Sequence, residues 1–345
     1  MRGINVFTMI YVELPSEIAA KTQRLPFYLA MEEHLARNYD GEYFVMWQVN
    51  PTVIFGRNQD IFSEVNLTYC RDNGIEFYRR KSGGGCVYAN LDNIMTAVIT
   101  SSTEVETTFA AHCENLAATL RQLGLDASAS GRNDVLIGGR KVSGNSFHHL
   151  PGRSIVHGTL LYDTDIESMS GALTPSTTKL AAKGVGSVRS HITTIREHLP
   201  QIDIAYLKEF LRSNLSDSTM TLSMADVEEI RRIEAPYYTH EWIYGGKNHA
   251  RAASSATPVR IEGAGEFIAE VERASDGLTI NKVTLTGDFF PLSDIGPALL
   301  DKLIGVPLTP QGISEALRGI DVPSVIAGLT EKQFINLLIP ENSLI

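Results

Sequence analysis

Short apolar runs, spaced by turn-forming residues, fill the first 160 positions. Phe44-Val45-Met46-Trp47 and Thr52-Val53-Ile54-Phe55 predict two strands, separated at Asn50-Pro51 because proline cannot donate to a ladder. Ile75-Glu76-Phe77-Tyr78, Cys86-Val87-Tyr88 and residues 95–99 extend the same pattern. Residues 134–137 and Lys141-Val142-Ser143 flank Gly138-Gly139, a pair suited to the positive φ angles of a two-residue hairpin. Residues 155–162 predict another strand.

The period then changes. Phe109, Cys113, Leu116, Leu120 and Leu123 recur at helical spacing, with Thr103 and Glu106 placed as a capping box and Gly124 as the stop. Cys113 falls in this apolar stripe and reads as a packing residue. Amphipathic helices follow at 204–215 and 224–233, the second behind Ser223 as its cap. Residues 245–258 turn small and polar, which predicts a linker at 247–257 between a large domain (1–246) and a small one (258–345). The small domain shows a hairpin around Asp276-Gly277 (266–271 and 278–285) and helical patterns near 292–304, 309–320 and 330–338. Strands and helices are interleaved without repeats, so the expected class is α+β, with a large mixed sheet and a small α+β accessory domain.

Composition narrows the function classes. The 345 residues are 43% hydrophobic and 20% charged, which gives ample core and argues against bulk disorder. With 30 basic against 40 acidic residues, the formal net charge is −10, so a dedicated nucleic-acid or membrane-surface binder is not expected. A local basic site for one small anion remains open. Cys70, Cys86 and Cys113 form no CxxC pair, as in a reducing compartment. The apolar stretch at 6–12 is too short for a secretion signal, and no run nears the roughly 18 apolar residues of a membrane span. A cytoplasmic protein with no membrane association is the expectation.

Three segments could carry chemistry. In Arg79-Arg80-Lys81-Ser82-Gly83-Gly84-Gly85-Cys86-Val87-Tyr88, three glycines let the backbone approach a ligand and aim N–H groups at it, and three cations adjoin them. The bland alternative is a flexible turn with a solvated basic edge. No GxxxxGK[ST] is present, and no GxGxxG opens a helix. The second segment is Gly131-Arg132-Asn133-Asp134 followed by Gly139-Arg140-Lys141-Val142-Ser143-Gly144. A lysine at the start of a strand, directly after a tight turn, is held more rigidly than a loop lysine and could bridge two anions, although most such lysines are only surface cations. The third is Val156-His157-Gly158-Thr159-Leu160-Leu161, followed by Lys179-Leu180-Ala181-Ala182-Lys183-Gly184 and Ser187-Val188-Arg189-Ser190. His157 could line a pocket or be a satisfied core histidine.

Taken in order with Gly56-Arg57-Asn58-Gln59-Asp60, these segments resemble the lipoate–protein ligases of the biotin/lipoate ligase family. The resemblance runs from Glu32-Glu33, in an early helix, to about Arg189. Trp242-Ile243-Tyr244-Gly245 is similar to the aromatic–glycine signature before the accessory domain of the long members. The departures are Cys86 where alanine is usual, Ala89-Asn90 for His-Asp, and Tyr28 for asparagine.

The resemblance implies an ATP-dependent, adenylate-forming ligase. Lipoate would be activated to lipoyl-AMP with release of pyrophosphate, and the lipoyl group passed to a lysine of an apo lipoyl domain. The acceptors implied are the acyltransferase subunits of 2-oxoacid dehydrogenases, the glycine-cleavage H protein, or both. Gly84, Gly85, Cys86, Val87 and Tyr88 would cradle the nucleotide, with Arg80 as a charge clamp. Asn133 and Asp134 would lie by the nucleotide or its Mg²⁺, for which no ligand set is assigned. Lys141 would contact both the lipoyl carboxylate and the α-phosphate. Ser82, Gly83, Val87, His157 and Gly158 would belong to the lipoate side. Among Lys141's possible roles, an electrostatic clamp fits adenylation better than a nucleophile, because no covalent enzyme intermediate is required.

The alternatives are an octanoyl or lipoyl transferase working through an acyl-enzyme, with Cys86 as the one tempting thiol, and a lipoyl-carrier-binding module without catalysis. A biotin ligase would carry a GRGR-type signature where Gly56-Arg57-Asn58-Gln59 stands. The glycines at 245 and 246 could absorb a hinge motion of the small domain.

Overall fold

The computed structural model describes residues 9–102, 104–130, 133–174, 191–245 and 257–340. In chain order the strands are β1 (Met9–Glu13), β2 (Glu42–Trp47), β3 (Thr52–Phe55), β4 (Glu76–Arg79), β5 (Val87–Ala89), β6 (Asn93–Thr100) and β7 (Ala127–Ser130). They continue with β8 (Asp134–Ile137), β9 (Arg140–Leu150), β10 (Arg153–Leu161), β11 (Ser218–Thr221), β12 (Val259–Ile261), β13 (Gly265–Arg273) and β14 (Ile280–Phe289). The longer helices are α1 (Leu25–Asn38), α2 (Val105–Gln122), α3 (Ile204–Leu215), α4 (Met224–Glu234) and α5 (Glu331–Leu338).

Eight strands form one mixed sheet in the order β11-β1-β2-β6-β10-β9-β8-β7. β1 runs parallel to both β2 and β11, whereas β6, β10, β9, β8 and β7 are joined antiparallel. β10 lies at the centre and every residue from Arg153 to Leu161 is buried, which is why it reads as a near-continuous run rather than an alternating one. A second sheet of three strands, β4-β3-β5, stands beside it. The hairpin between β8 and β9 turns on Gly138 and Gly139 at φ +55° and +79°, the left-handed pair expected of a two-residue turn.

α1 covers one face of the large sheet. Its residues Leu25 to Ala36 are all buried, including Glu32, Glu33 and His34, because α4 and Tyr237 close over its outer side. α2 covers the opposite face, packing Cys113, Leu116, Ala117 and Leu120 against Val135, Ile137 and Val142. α2 starts at Val105 with Glu104 at the cap position and no side-chain cap, one residue later than the pattern predicts; Thr103 lies outside the described residues. Gly124 follows its end at φ +84°. Ser223 caps α4 in a capping box with Asp226.

The small domain packs its own core (Phe267, Phe289, Leu303, Ile313, Phe334) around the β12-β13-β14 sheet. The helix predicted over 292–304 is instead two short pieces, Ile295–Ala298 and a 3₁₀ turn at Leu300–Leu303. Gly296 and Pro297 are poor helix formers, and Leu299 at φ −138° breaks the run. Helix Pro310–Ala316 is shorter than its pattern, while α5 begins behind Thr330 in a capping box. The predicted linker falls almost wholly outside the described residues, as do Lys179-Leu180-Ala181-Ala182-Lys183-Gly184 and Gly131-Arg132.

Candidate active site

A cavity of about 1450 Å³ opens between the two sheets and the small domain. One end is apolar. Trp47 of β2 and Met95 of β6 are register partners on the α1 side of the large sheet. Thr159 pairs with Met95 from β10. Ile54 and Val87, paired across β3 and β5, face them, and Leu29 of α1 adds to the lining. Trp47 is held by stacking on Tyr28, with centroids 4.9 Å apart, and by donating Nε1–H to Glu32 Oε1 at 3.0 Å.

Lys141 lines the same cavity as this end and the glycine loop. Its side chain lies across Gly144, where a Cβ would come within 2.6 Å of Nζ, so the glycine of Lys-Val-Ser-Gly leaves the space the amine occupies. Nζ pairs with Asp134 Oδ1 at 2.6 Å, both side chains about one-fifth exposed. Asp134 is the first residue of β8 and Lys141 the second of β9, so the tight turn brings the pair together. Beside them Asn133 and Asn145 are locked reciprocally: Asn133 Nδ2 donates to the Asn145 carbonyl (2.9 Å) and Asn145 Nδ2 to the Asn133 carbonyl (3.1 Å). Asn145 Oδ1 meets His112 Nε2 at 3.2 Å, and its amide fills the space left by the missing side chain of Gly158. Burial pushes His112 down to about 4, so it is neutral at physiological pH.

The basic triplet is used differently from a row of solvated cations. Arg79 donates to the carbonyls of Gly56, Arg57 and Gln59 and, through Nε and Nη2, to those of Trp242 and Ile243, while Trp242 Nε1 returns a bond to the Arg79 carbonyl at 2.8 Å. This clasp fixes the start of the inter-domain connection to β4. Arg80 donates to Ser82 Oγ, Ile54 O, Gly83 O and Gly85 O. Its charge therefore sits behind the glycine loop, where burial lowers its pKa to about 10 against the opposing pull of Cys86 and Asp288. Lys81 pairs with Glu33 at 2.6 Å.

Arg80, Gly84, Gly85, Cys86, Val87, Tyr88, Asn133, Asp134, Lys141, His157 and Gly158 all border the cavity. Ser82 and Gly83 do not border it. Ser82 is 1% exposed and bonded to His157 and Arg80, and the Gly83 carbonyl is taken by Arg80 and Ser146. The small domain closes the glycine end: Gly84 N–H donates to the Phe289 carbonyl at 2.9 Å, and a Cβ on Gly85 would sit 2.7 Å from Asp288 Oδ2. Phe290 packs between Phe109 of α2 and Phe147 of β9, with centroids 5.9 and 5.7 Å away. Trp47, Met95 and Thr159 are visible in the sequence only through strand alternation and its register. Asp288 and Phe290 carry no local signal at all.

Comparisons with known proteins identify the family. The lipoyl protein ligase A/B catalytic domain matches residues 25–216, and the bacterial lipoate protein ligase C-terminal domain matches residues 268–338. The chain is 31% identical to the lipoate-protein ligase LplJ of Bacillus subtilis, over 90% of this chain and 95% of that protein. Solved structures share the fold. One, LipL1 of P. falciparum in complex with lipoate, has a TM-score of 0.73 at 18% identity and covers 95% of this chain and 97% of that one. A bipartite lipoate protein ligase from Thermoplasma acidophilum, described with its E2 lipoyl domain, has a TM-score of 0.60 at 24% identity, covering 71% and 98%. A lipoate-protein ligase A bound with ATP has a TM-score of 0.56 at 23% identity, covering 69% and 98%. The chain belongs to the lipoate–protein ligase family.

Proposed function

We propose that this protein activates lipoate with ATP and transfers the lipoyl group to a lysine of apo lipoyl domains, in 2-oxoacid dehydrogenase acyltransferase subunits, the glycine-cleavage H protein, or both. The observation that carries this reading is the Lys141 amine, laid over Gly144 in one cavity that an apolar lining and a glycine loop share. Lipoate has an aliphatic chain and a dithiolane, which suit the lining of Leu29, Trp47, Ile54, Val87 and Met95, with His157 and Gly158 beside it. Its carboxylate then points towards Lys141.

In the first step a carboxylate oxygen attacks the α-phosphorus, an O–P bond forms, and the bond to the bridging oxygen breaks as pyrophosphate leaves. Two anions must be brought together, so a fixed cation between them contributes most as the transition state spreads charge over both. Lys141 has three N–H donors. Asp134 holds the amine in place, and the remaining donors serve the carboxylate and the α-phosphate. The backbone of Gly84, Gly85, Cys86, Val87 and Tyr88 approaches the nucleotide, with Arg80 stiffening the loop through its carbonyls and lending its field from behind. In the second step the neutral amine of the acceptor lysine attacks the lipoyl carbonyl, the acyl C–O bond breaks, AMP leaves, and the amine proton passes to solvent.

Mg²⁺ binds through one or two carboxylates and substrate phosphates rather than a full protein cage. Among the described residues no cluster of three or more His, Cys, Asp or Glu forms such a cage. Asp134 borders the cavity and fits the lesser requirement: the carboxylate oxygen not paired with Lys141 would hold the ion that screens the phosphate charge. Among the described residues no helix is long and apolar enough to cross a membrane. Incubation with ATP, lipoate and an apo lipoyl domain, read by intact mass, tests the proposal. A gain of one lipoyl group that requires ATP is expected, and an ATP-independent gain from an acylated carrier would overturn it.

A further inference from the structure

A chain of buried hydrogen bonds joins the two ends of the cavity. It begins at Trp47, whose Nε1–H reaches Glu32 Oε1 at 3.0 Å. Glu32 Oε2 meets His157 Nδ1 at 2.7 Å, and His157 Nε2 meets Ser82 Oγ at 2.7 Å. Ser82 Oγ accepts from Arg80 Nε at 2.9 Å, and Arg80 Nη2 ends the chain on the carbonyls of Gly83 and Gly85 at 2.5 and 2.8 Å. Glu32 is 1% exposed, Ser82 1% and His157 9%. The first residue of the chain walls the apolar pocket and the last shapes the glycine loop.

Hydrogen counting fixes the direction. Arg80 can only donate, so Ser82 Oγ accepts from it and has its own hydrogen left to give. The one neighbour placed to receive that hydrogen is His157 Nε2, which makes Nδ1 the protonated nitrogen and Glu32 its acceptor. This tautomer leaves the Trp47, His157 and Ser82 hydrogens and the Arg80 Nε–H all paired, as groups this deeply buried require. The order Ser–His–Glu looks like a nucleophilic triad, but Ser82 does not border the cavity and already receives Arg80, so its hydroxyl has no substrate to attack.

We propose that Glu32, His157 and Ser82 are positioning residues that couple the acyl pocket to the nucleotide loop, so that lipoate and ATP each bind more tightly when the other is present. The inference rests on the pocket assignment of the preceding section. Lipoate packed against Trp47 and His157 restrains the indole and imidazole, and the directed bonds pass that restraint to Ser82 and Arg80, hence to the carbonyl orientation of Gly83 and Gly85. The coupling is reciprocal: a loop ordered by nucleotide holds His157 against the pocket. The purpose is chemical. The carboxylate and the α-phosphate repel each other, and a site that organises only when both are present aligns them for attack.

The test measures lipoate affinity by calorimetry with and without an ATP analogue whose α,β-bridge is methylene, in the full chain. In the wild type the analogue should tighten lipoate by at least about fivefold, the lower end of ordinary coupling between sites. In Glu32→Gln and Ser82→Ala, which keep the size of the side chain or reduce it, that factor should fall to within about twofold of unity while lipoate alone still binds. Glu32→Gln has a second signature. Gln Nε2 must donate to Nδ1, so His157 should flip to the Nε2–H tautomer, visible in its ¹⁵N shifts, whereas wild type shows Nδ1–H. Met95→Trp serves as the control on the pocket and should abolish lipoate binding. Unchanged lipoate affinity in Met95→Trp would overturn the pocket assignment and the coupling with it. If Met95→Trp behaves as expected but wild type shows no coupling, or the relay variants keep it in full, the coupling alone is overturned.

Discussion

The two halves of the cavity are built on different terms. The half proposed for lipoate is built on the sheets: Trp47 is stacked and hydrogen-bonded, and Met95, Thr159 and Ile54 stand at register positions in two sheets. The nucleotide half is covered by the chain's own small domain, which takes the Gly84 N–H through Phe289 and sets the Asp288 carboxylate against Gly85. An apolar lining needs no ligand to satisfy it, although contact with a ligand still narrows the motion of its side chains. A cradle of backbone N–H groups without an anion leaves donors in want of acceptors, and here one of those acceptors is a carbonyl of the same chain. On the proposed assignment ATP would compete with a protein carbonyl for the Gly84 N–H, whereas lipoate would displace solvent.

Lys141 belongs to both halves, so its removal should have the largest effect. Lys141→Ala is expected to lower adenylation, measured as pyrophosphate release, by about 10²–10³-fold, the loss seen when one donor to developing charge is removed. Its circular dichroism should be unchanged, because the backbone pairing of residue 141 with Leu136 does not depend on the side chain. A variant that released pyrophosphate at the wild-type rate would end the comparison, since neither half would then meet at this residue.

The cover itself is the next point to break. Phe290→Ala removes the ring lodged between Phe109 and Phe147, where deleting a buried aromatic costs about 3–5 kcal/mol. The large and small domains keep their separate cores, so the loss should fall on their docking: the radius of gyration in solution scattering should rise with no change in helix content. An unchanged scattering profile would show that the polar contacts alone hold the cover. Asp288→Asn asks a smaller question. Removing one negative charge near an incoming triphosphate should lower the KM for ATP by roughly fivefold, the value of about 1 kcal/mol for unit charges 4 Å apart in water, and leave the KM for lipoate as it was.

The halves also differ in how far the sequence disclosed them. The glycine loop, Lys141 with Gly144, and Asn133-Asp134 could be singled out as candidates because each is contiguous, and the structure brings them to one cavity. The hairpin at Gly138-Gly139 and helices α3 and α4 were legible for the same reason. The acyl lining comes instead from alternate positions on β2, β3, β5 and β6, and which strands adjoin is decided by long-range pairing that no local pattern states. The destinations of Arg79 and Arg80 were hidden for a further reason. A run of cations reads as an anion site, but guanidinium groups with five donors each are equally suited to gathering the carbonyls of a tight loop, and burial decides between the two. Glu32 and Glu33 in a wholly buried helix were visible as acidic residues among apolar ones, although their partners, His157 and Lys81, lie 125 and 48 residues away.

Cys86 should show the smallest effect on turnover and the sharpest contrast between the halves. Cys86 borders the cavity from the loop and is partly exposed, whereas Cys70 and Cys113 are buried, although Cys113 also borders the cavity, and burial raises both to about 11. Thiolate fraction and access govern alkylation, so iodoacetamide at neutral pH should modify Cys86 well ahead of the other two, and ATP should protect it while lipoate alone protects it less. Cys86→Ala should keep ligase turnover within about threefold of wild type, because the peptide N–H, not the sulfur, is the group assigned to the nucleotide. An acyl-enzyme would behave otherwise: Cys86→Ala would lose transfer altogether, and intact mass would show a lipoyl or octanoyl adduct on the wild-type chain. That adduct would move the reactive group from Lys141 to the loop, and the nucleotide half would have to be reassigned as an acyl-transfer site.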